Sequence, residues 1–219
     1  MRETKPPRRR PGKPDGRRAT NRKRRVESLQ RAALTVFLQH GVEATTIEQI
    51  TRAAGTAKGS FYRYFDDKTA LVASLVAPIS ALVLAAIDDC EETLARASTR
   101  EEMFAAYGII AARFAPVLLS SADAVRLLLQ EARAPGVGAR APIRAFHVAV
   151  DGRALDLGRL AQSHGLVTAD VDPRVSARAV VGAVERLVFA VLSGEDIGDP
   201  FAVPEALTRI MLDGLRPRS

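Results

Sequence analysis

The polar residues Lys58, Ser60 and Arg63 are the predicted outward residues of one short helix. They belong to a segment with the layout of a helix-turn-helix, Thr46 to Phe65, in which a capped helix, a tight turn at residues 54–56 and a second helix follow one another. A helix-turn-helix inserts its second helix into the major groove of DNA. These residues therefore indicate hydrogen bonding and ionic contact with a DNA duplex.

Local signals predict the elements that must position this group. Thr46 and Gln49 form a Thr-x-x-Gln capping box, which satisfies free backbone N–H groups at the start of a helix. Gly55 supplies the positive φ that a tight turn requires. Phe61 and Phe65, four residues apart, are expected to pin the second helix to a small apolar core.

Another helix is predicted before this segment, from about Asn21 to His40, with Gly41 as its left-handed stop. Its apolar residues recur at helical spacing: Val26, Leu29, Ala33, Val36 and Phe37. Asp66 or Asp67 is expected to cap the helix that follows. Residues 26–72 then make one DNA-reading domain of three helices and the start of a fourth.

The combined pattern closely resembles the DNA-binding domain of the tetracycline-repressor (TetR) family. The resemblance covers Val26 to Leu71 and rests on Ala32, Ala33, Phe37, Gly41, Thr45, Thr46, Ile50, Ala53, Ala54, Gly55, Lys58, Gly59, Tyr62, Tyr64, Phe65, Lys68 and Leu71. The sequence departs from the common pattern at residues 56–57, where Val-Ser is frequent and the Ser caps the second helix. We expect Thr56 to be the cap instead, which shifts the start of that helix by one residue.

The resemblance implies DNA-binding roles for particular residues. Thr46, Tyr62 and Lys68 match positions that contact phosphates, and Lys68 would do so from the first turn of its helix, where the helix dipole favours an anion. Recognition-helix positions that face base edges or the adjoining backbone are matched by Lys58, Gly59, Ser60 and Arg63. An Arg at such a position can bind guanine in bidentate fashion. For each residue the alternative is a solvated polar side chain.

The basic charge is concentrated in residues 1–25. This arm carries twelve Lys and Arg residues, Arg24 and Arg25 among them, against Glu3 and Asp15, so its net charge is +10 while that of the whole chain is +7. Its four prolines and few apolar residues predict disorder. The arm is either a solubilising tail or leader, or a polycation that neutralises DNA phosphates, and its position beside the helix-turn-helix favours the second. Because residues 26–72 have no net charge, phosphate attraction is expected to come largely from the arm.

Residues 73–219 are interpreted as an effector-binding and dimerisation domain. Helices are expected at residues 68–95, 100–119, 122–133, 143–164, 173–192 and 204–215. With the DNA-reading domain they predict an all-α protein of about nine helices, in which a helix-turn-helix domain is joined to a larger helical bundle.

The last two helices carry more apolar surface than a monomer needs to bury, most clearly at residues 180–184 and 187–192. We expect a homodimer joined through helices 173–192 and 204–215. Such a dimer would present two recognition helices to successive major grooves of a palindromic site.

The resemblance also implies repression that a small-molecule effector relieves. An effector cavity could be lined by Phe104, Tyr107, Phe114, Leu118, Leu127, Phe146 and Val150. Residues at helical spacing are, however, more often plain core. The low aromatic content and the absence of Trp favour an apolar effector over a flat cation. Arg113, His147 and Glu185 would either orient that ligand or form ordinary ion pairs.

Pro78 is expected to kink the helix that begins near Lys68, because it removes a backbone donor and crowds the preceding turn. This helix is the natural lever between effector and DNA. The kink would either adjust the coupling of the DNA-reading domain to the bundle or be a static bend.

Other classes of protein are less well supported. His40, His147 and His164 are scattered, and neither a phosphate loop nor a metal-ligand spacing is present, so we expect no catalytic site, metal or cofactor. The single Cys90 and the lack of an apolar leader predict a cytoplasmic protein.

The uncharged run at residues 69–87 approaches the length of a membrane span, but it is interrupted by polar residues and proline, so we expect a bundle helix and no membrane. The remaining rival is a helical adaptor that uses its basic arm on acidic membranes or RNA.

Overall fold

The computed structural model describes residues 15–199 and 202–214, which form eight α-helices, one short 3-10 turn and no strand. The helices are α1 Asp15–His40, α2 Ile47–Ala53, α3 Lys58–Phe61, α4 Lys68–Leu94, α5 Arg100–Glu131, α6 Ala141–Ser163, α7 Pro173–Leu192 and α8 Val203–Gly214, and the 3-10 turn is Gly138–Arg140. The predicted all-α architecture is confirmed.

Helix α1 begins at Asp15 rather than near Asn21. The prediction of a disordered arm is therefore wrong for residues 15–25, which are helical, while the rest of that arm, residues 1–14, lies outside the described residues. No proline follows Pro14 in this stretch, Arg, Lys and Ala are good helix formers, and extending a helix costs less than nucleating one. The basic residues next to the DNA-reading domain are thus carried on a helix.

Two of the predicted helices form one. Helix α5 runs from Arg100 to Glu131, through the break expected at residues 120–121. The break appears as a kink inside that helix, because Ser121 has non-helical angles of φ −140° and ψ 31°. This is why the described residues contain eight α-helices rather than about nine.

Two apolar clusters fill the interior. The proximal core joins the DNA-reading domain to the bundle through Leu29, Phe37, Ile50, Phe61, Leu71, Val72, Val125, Leu128 and Ile143. The distal core lies further along the bundle and contains Ile87, Cys90, Leu94, Met103, Ala106, Leu157 and Ala161. Helix α4 contributes to both cores, so it links the two parts of the protein.

Helices α4 and α5 are long and apolar enough to cross a bilayer by length and composition alone. The apolar residues of α4 pack inside the protein, where α5 and α6 cover them: Leu71, Val72, Leu75, Val76, Ile79, Ala86 and Ile87. This packing is that of a core helix, which supports the predicted bundle helix.

Candidate nucleic-acid interface

The predicted capping box fixes the start of α2. The Gln49 backbone N–H donates to Thr46 Oγ1 at 3.2 Å, and the Thr46 backbone N–H donates to Gln49 Oε1 at 2.7 Å. Gly41, with φ 79°, ends α1, and Gly55, with φ 62°, turns the chain between α2 and α3. These three predictions are confirmed. Thr46 itself stays at the surface, as a phosphate contact requires.

Helix α3 begins without the predicted cap. Its N-cap residue is Ala57, which makes no side-chain hydrogen bond, so the prediction that Thr56 caps this helix is wrong. The Thr56 backbone N–H instead donates to the Thr51 carbonyl at 2.9 Å and closes the end of α2. Packing fixes α3 in place, since Phe61 is fully buried and its ring centroid lies 5.6 Å from that of Phe65.

The predicted recognition residues lie on α3 and in the turn that follows it, which together are the recognition face. Its exposed residues are Lys58, Gly59, Tyr62 and Arg63, and Ser60 is partly exposed among them. Tyr62 is 50% exposed and stands edge-on to the buried Phe61 ring, with centroids 5.5 Å apart. No heavy atom lies within 4 Å of the position that a Cβ would take at Gly59, so the backbone here is open to an approaching partner.

A carboxylate that sequence reasoning missed belongs to the same face. Glu48, in the first turn of α2, forms an ion pair with Lys58, and the two side chains are 52% and 53% exposed. The hydrogen bond from Lys58 lowers the pKa of the Glu48 carboxyl, and the same bond raises the pKa of Lys58. Ten residues separate the partners, and the tight turn between α2 and α3 brings them together.

Lys68 has a structural role that was not predicted from the sequence. Its Nζ donates to the carbonyls of Val42, Glu43 and Thr45 at 2.8, 2.9 and 2.9 Å, and the side chain is only 18% exposed. An ammonium group has three donors, so these bonds saturate it. Lys68 thus fastens the loop between α1 and α2 to α4, and its predicted phosphate contact, from the first turn of α4, stays a prediction. Asp67 caps α4, as one of the two residues predicted to do so.

The helical part of the arm lies beside the recognition helix. A cavity of about 550 Å³ separates it from Tyr64 and is lined by Arg18, Asn21, Arg22, Arg24, Arg25 and Ser28. A narrower groove continues from Arg25 and Tyr64 to Thr56 and Ser60. The predicted DNA contact Arg25 therefore lies close to Ser60 of the recognition helix, and Arg24 lines the cavity beside Tyr64.

A buried charge cluster holds the other side of the α1–α2 loop. Glu131, at the end of α5, is 5% exposed and accepts hydrogen bonds from the Val42 backbone N–H, at 2.9 Å, and from Arg140 Nε. The Arg140 backbone N–H donates to Glu43 Oε1 at 3.3 Å. The loop is thus clamped between α4 and the end of α5. No local signal predicts this junction, because Glu131 lies 89 residues from Val42.

A second link joins α1 to α4 near Pro78. Helix α4 continues through this proline, which has no N–H for the carbonyl four residues earlier, that of Ser74. Gln30 Nε2 on α1 donates to this carbonyl at 3.4 Å and to Ser74 Oγ at 3.0 Å. A side chain of the DNA-reading domain therefore supplies the donor that the proline removes.

The residues predicted to line an effector cavity are divided between the two cores. Phe104 and Tyr107 pack against the distal core, where burial raises the pKa of the Tyr107 hydroxyl. The proximal core receives Phe114, Leu118, Leu127 and Phe146, and Leu127 is fully enclosed there. Val150 is half-buried on α6. Leu127 is thus plain core, and the cavity stays a prediction for the others.

The polar residues embedded in the bundle form pairs. His147 Nδ1 lies 3.0 Å from Glu185 Oε1, and His147 Nε2 lies 3.1 Å from the Leu128 carbonyl. Arg113 lies 2.5 Å from Asp89. Ordinary pairing, one of the two roles considered for these residues, is what the structure shows.

Residues 29–75 match the family described as bacterial regulatory proteins, tetR family. The HTH-type transcriptional repressor KstR2 of Rhodococcus jostii (strain RHA1) is 47% identical over 49 residues, which are 22% of this chain and 24% of that protein. YvdT of Bacillus subtilis (strain 168), an uncharacterized HTH-type transcriptional regulator, is 37% identical over 51 residues, which are 23% of this chain and 26% of that protein. The matches span only about a quarter of the length of these relatives.

Solved structures extend the likeness to the bundle. NalD of Pseudomonas aeruginosa, the secondary repressor of the MexAB-OprM multidrug efflux pump, has a TM-score of 0.68 at 20% identity, over 90% of this chain and 98% of that one. FadR of Bacillus subtilis in complex with stearoyl-CoA has a TM-score of 0.62 at 18% identity, over 87% and 99%. At these identities the likeness shows a common fold.

Proposed function

We propose that this chain, whose residues 29–75 match the tetR family of bacterial regulatory proteins, is a cytoplasmic transcriptional repressor released from a palindromic operator by a small-molecule effector. The observation that carries this proposal is the open face of α3. There Lys58 and Ser60 lie on α3 and Arg63 lies in the turn that follows it, and the turn at Gly55 and two buried phenylalanines hold this helix in place. Tyr62 and Thr46 flank it as phosphate contacts.

A homodimer would double this face. The buried residues of α7 are Ala177 and Ala190, whereas Val175 and Val184 are 62% and 38% exposed, and Ile210 on α8 is 72% exposed. An apolar surface of this kind favours cover by a second copy of the same helices. Two recognition helices joined in this way would enter grooves about 34–36 Å apart.

The effector that we propose is an apolar or acyl-type molecule held in the bundle. The half-buried aromatic residues Phe104, Tyr107, Phe114 and Phe146 support this choice, and the FadR neighbour was solved with stearoyl-CoA. An effector that binds one geometry of the subunits better than another would change the separation of the two recognition helices and weaken both contacts together.

Selection of bound duplexes from a random pool tests the proposal. The full-length protein is expected to enrich a palindrome, and Arg63→Ala is expected to weaken operator binding by about 1–3 kcal/mol because it removes a base contact. Arg113→Ala, on an exposed side chain of the bundle, is the matched control and should leave the enriched motif unchanged. A pool that emerges without a motif would refute the proposal.

A helical adaptor for acidic membranes or RNA is the alternative, and the arginine-lined cavity beside Tyr64 is the observation that favours it. Such an adaptor would bind with a strong dependence on salt and none on base order, and Arg63→Ala would not affect it. Binding to anionic vesicles and to random duplex at matched salt separates the two functions. An operator-specific complex that Arg63→Ala weakens supports the repressor.

A further inference from the structure

We propose that Glu48 is a specificity-determining residue, which keeps Lys58 off the phosphates of random DNA and accepts a hydrogen bond from a cytosine amine at the operator. The inference rests on the proposed function and deepens it, because it names one base that the recognition face selects. It concerns a carboxylate, whereas the predicted base contacts were the polar and basic residues of α3.

Glu48 and Lys58 lie where the two helices of the helix-turn-helix meet. Glu48 belongs to the first turn of α2 and Lys58 opens α3, so their ion pair bridges the two helices of the helix-turn-helix. Both side chains are about half exposed, at 52% and 53%, and Lys58 lies on the face that also presents Arg63. Any duplex that approaches α3 therefore meets the carboxylate together with the ammonium.

The ion pair also reduces the attraction of Lys58 for phosphates. An ammonium already paired with a carboxylate releases fewer counterions from DNA than a free one, so on random duplex the pair adds little phosphate attraction. The DNA-reading domain has no net charge between residues 26 and 72, which is consistent with a face that does not bind every duplex equally. Lowering affinity for the wrong partner is a direct route to specificity.

The major groove of DNA offers hydrogen-bond donors to the Glu48 carboxylate. A carboxylate brought against DNA must be hydrogen-bonded, since otherwise it faces the phosphates unpaired. The donors that bases present in this groove are the amines of cytosine N4 and adenine N6, and Glu commonly accepts from cytosine. At the operator, Lys58 can then bind a phosphate while Glu48 accepts from the cytosine amine.

A purely structural role for the pair is weaker. Ion pairs between exposed side chains contribute about 0–1 kcal/mol to folding. The capping box and the buried Ile50 already fix α2. The test therefore reads DNA selectivity and salt dependence, which a structural role would not change.

The experiment compares Glu48→Gln with wild type in the full chain, on the selected operator and on a random duplex. Freeing Lys58 should raise affinity for random duplex by about threefold, the scale of an exposed ion pair. It should also steepen the dependence of log K on log salt by about 0.9. In a selection from a random pool, preference for cytosine at one position of each half-site should fall by roughly tenfold.

Two further variants make the result decisive. Glu92→Gln, at an exposed acid of α4, changes the net charge equally and should leave the motif and both salt slopes as in wild type. Lys58→Met should flatten the salt slope on the operator but not on random duplex, because in wild type Lys58 contacts phosphate only at the operator. This variant also tests the inference if Glu48→Gln fails to fold.

The inference is overturned if Glu48→Gln enriches the wild-type motif with an unchanged salt slope, or if Glu92→Gln reproduces its effects. It is also overturned if Lys58→Met flattens both slopes equally. In each case the wild-type protein would still enrich a palindrome, so the proposed function would stand. If wild type enriches no motif, the proposed function and this inference fall together.

Discussion

The ion pairs Glu48–Lys58 and Glu131–Arg140 belong to two regions of the molecule that differ in the exposure of their charges. The first lies on the recognition face, and the second at the junction between the α1–α2 loop and the end of α5. On the recognition face, both partners are about half exposed, at 52% and 53%, and each can exchange its partner for water or DNA. At the junction, Glu131 is 5% exposed and also accepts a hydrogen bond from the Val42 backbone N–H, so it cannot exchange its partners for water. Charge is thus exchangeable where we propose that DNA binds and fixed where the DNA-reading domain meets the bundle.

Substitution of Glu131 is expected to have the largest effect on stability. Glu131→Ala leaves the Val42 N–H and the Arg140 guanidinium without their acceptor, and breaking a buried ion pair should lower the free energy of unfolding by about 3 kcal/mol. Urea denaturation followed by circular dichroism measures this loss. By contrast, Glu48→Ala should change the same quantity by under about 1 kcal/mol.

Glu131→Gln separates the two bonds, because its amide oxygen can still accept from the Val42 N–H while the charge facing Arg140 is gone. The free energy of unfolding of Glu131→Gln is expected to lie between those of wild type and Glu131→Ala. If Glu131→Ala proved no more harmful than Glu48→Ala, the contrast between the two regions would be wrong.

Gly138 tests how tightly the junction is packed. It has φ +57°, and a Cβ there would lie 2.9 Å from Glu43 Oε1, the acceptor of the Arg140 backbone N–H. Gly138→Ala should therefore cost about 1–2 kcal/mol of stability from the left-handed backbone, together with the displacement of Glu43.

Gly165→Ala is the matched control, because Gly165 has φ +69° and no atom within 4 Å of its Cβ position. The difference between the two variants in urea denaturation isolates the contact with Glu43. Equal losses would show that the junction tolerates an added methyl group and is looser than the buried ion pair implies.

Much of this architecture follows from local sequence. The capping box of Thr46 and Gln49 and the turn at Gly55 are read from neighbouring residues, and helix 173–192 was predicted with the bounds that α7 has. Each of these features depends on residues within one helical turn. Local chemistry therefore predicts those helix ends that caps and glycines define, but not the start of α1 at Asp15.

The features that were missed or misassigned depend on distant partners. Lys68 has the type and place of a phosphate ligand, yet carbonyls 23 to 26 residues away saturate its ammonium. Glu131 finds Val42 across 89 residues. The cap predicted at Thr56 failed because the Thr56 backbone N–H closes the end of α2, and burial of Phe61 rather than a hydroxyl fixes α3. Side-chain roles at junctions are set by the fold and cannot be read from one segment.

The smallest expected effect lies at the second link between the two regions, where Gln30 donates to the Ser74 carbonyl that Pro78 leaves without a helical partner. Gln30→Met should cost about 1 kcal/mol of stability, the scale of one part-buried hydrogen bond. In a Pro78→Ala background the same change should cost less, because the substituted alanine restores the N–H that the carbonyl lacks.

A double-mutant cycle in urea measures this coupling directly. Additive losses would mean that Gln30 serves only Ser74 Oγ, at 3.0 Å, and that Pro78 is a static bend. A coupling of about 0.5–1 kcal/mol would instead show that Gln30 on α1 compensates for the N–H that Pro78 removes from α4. The proposed transmission of an effector signal through α4 requires such a link between the two helices.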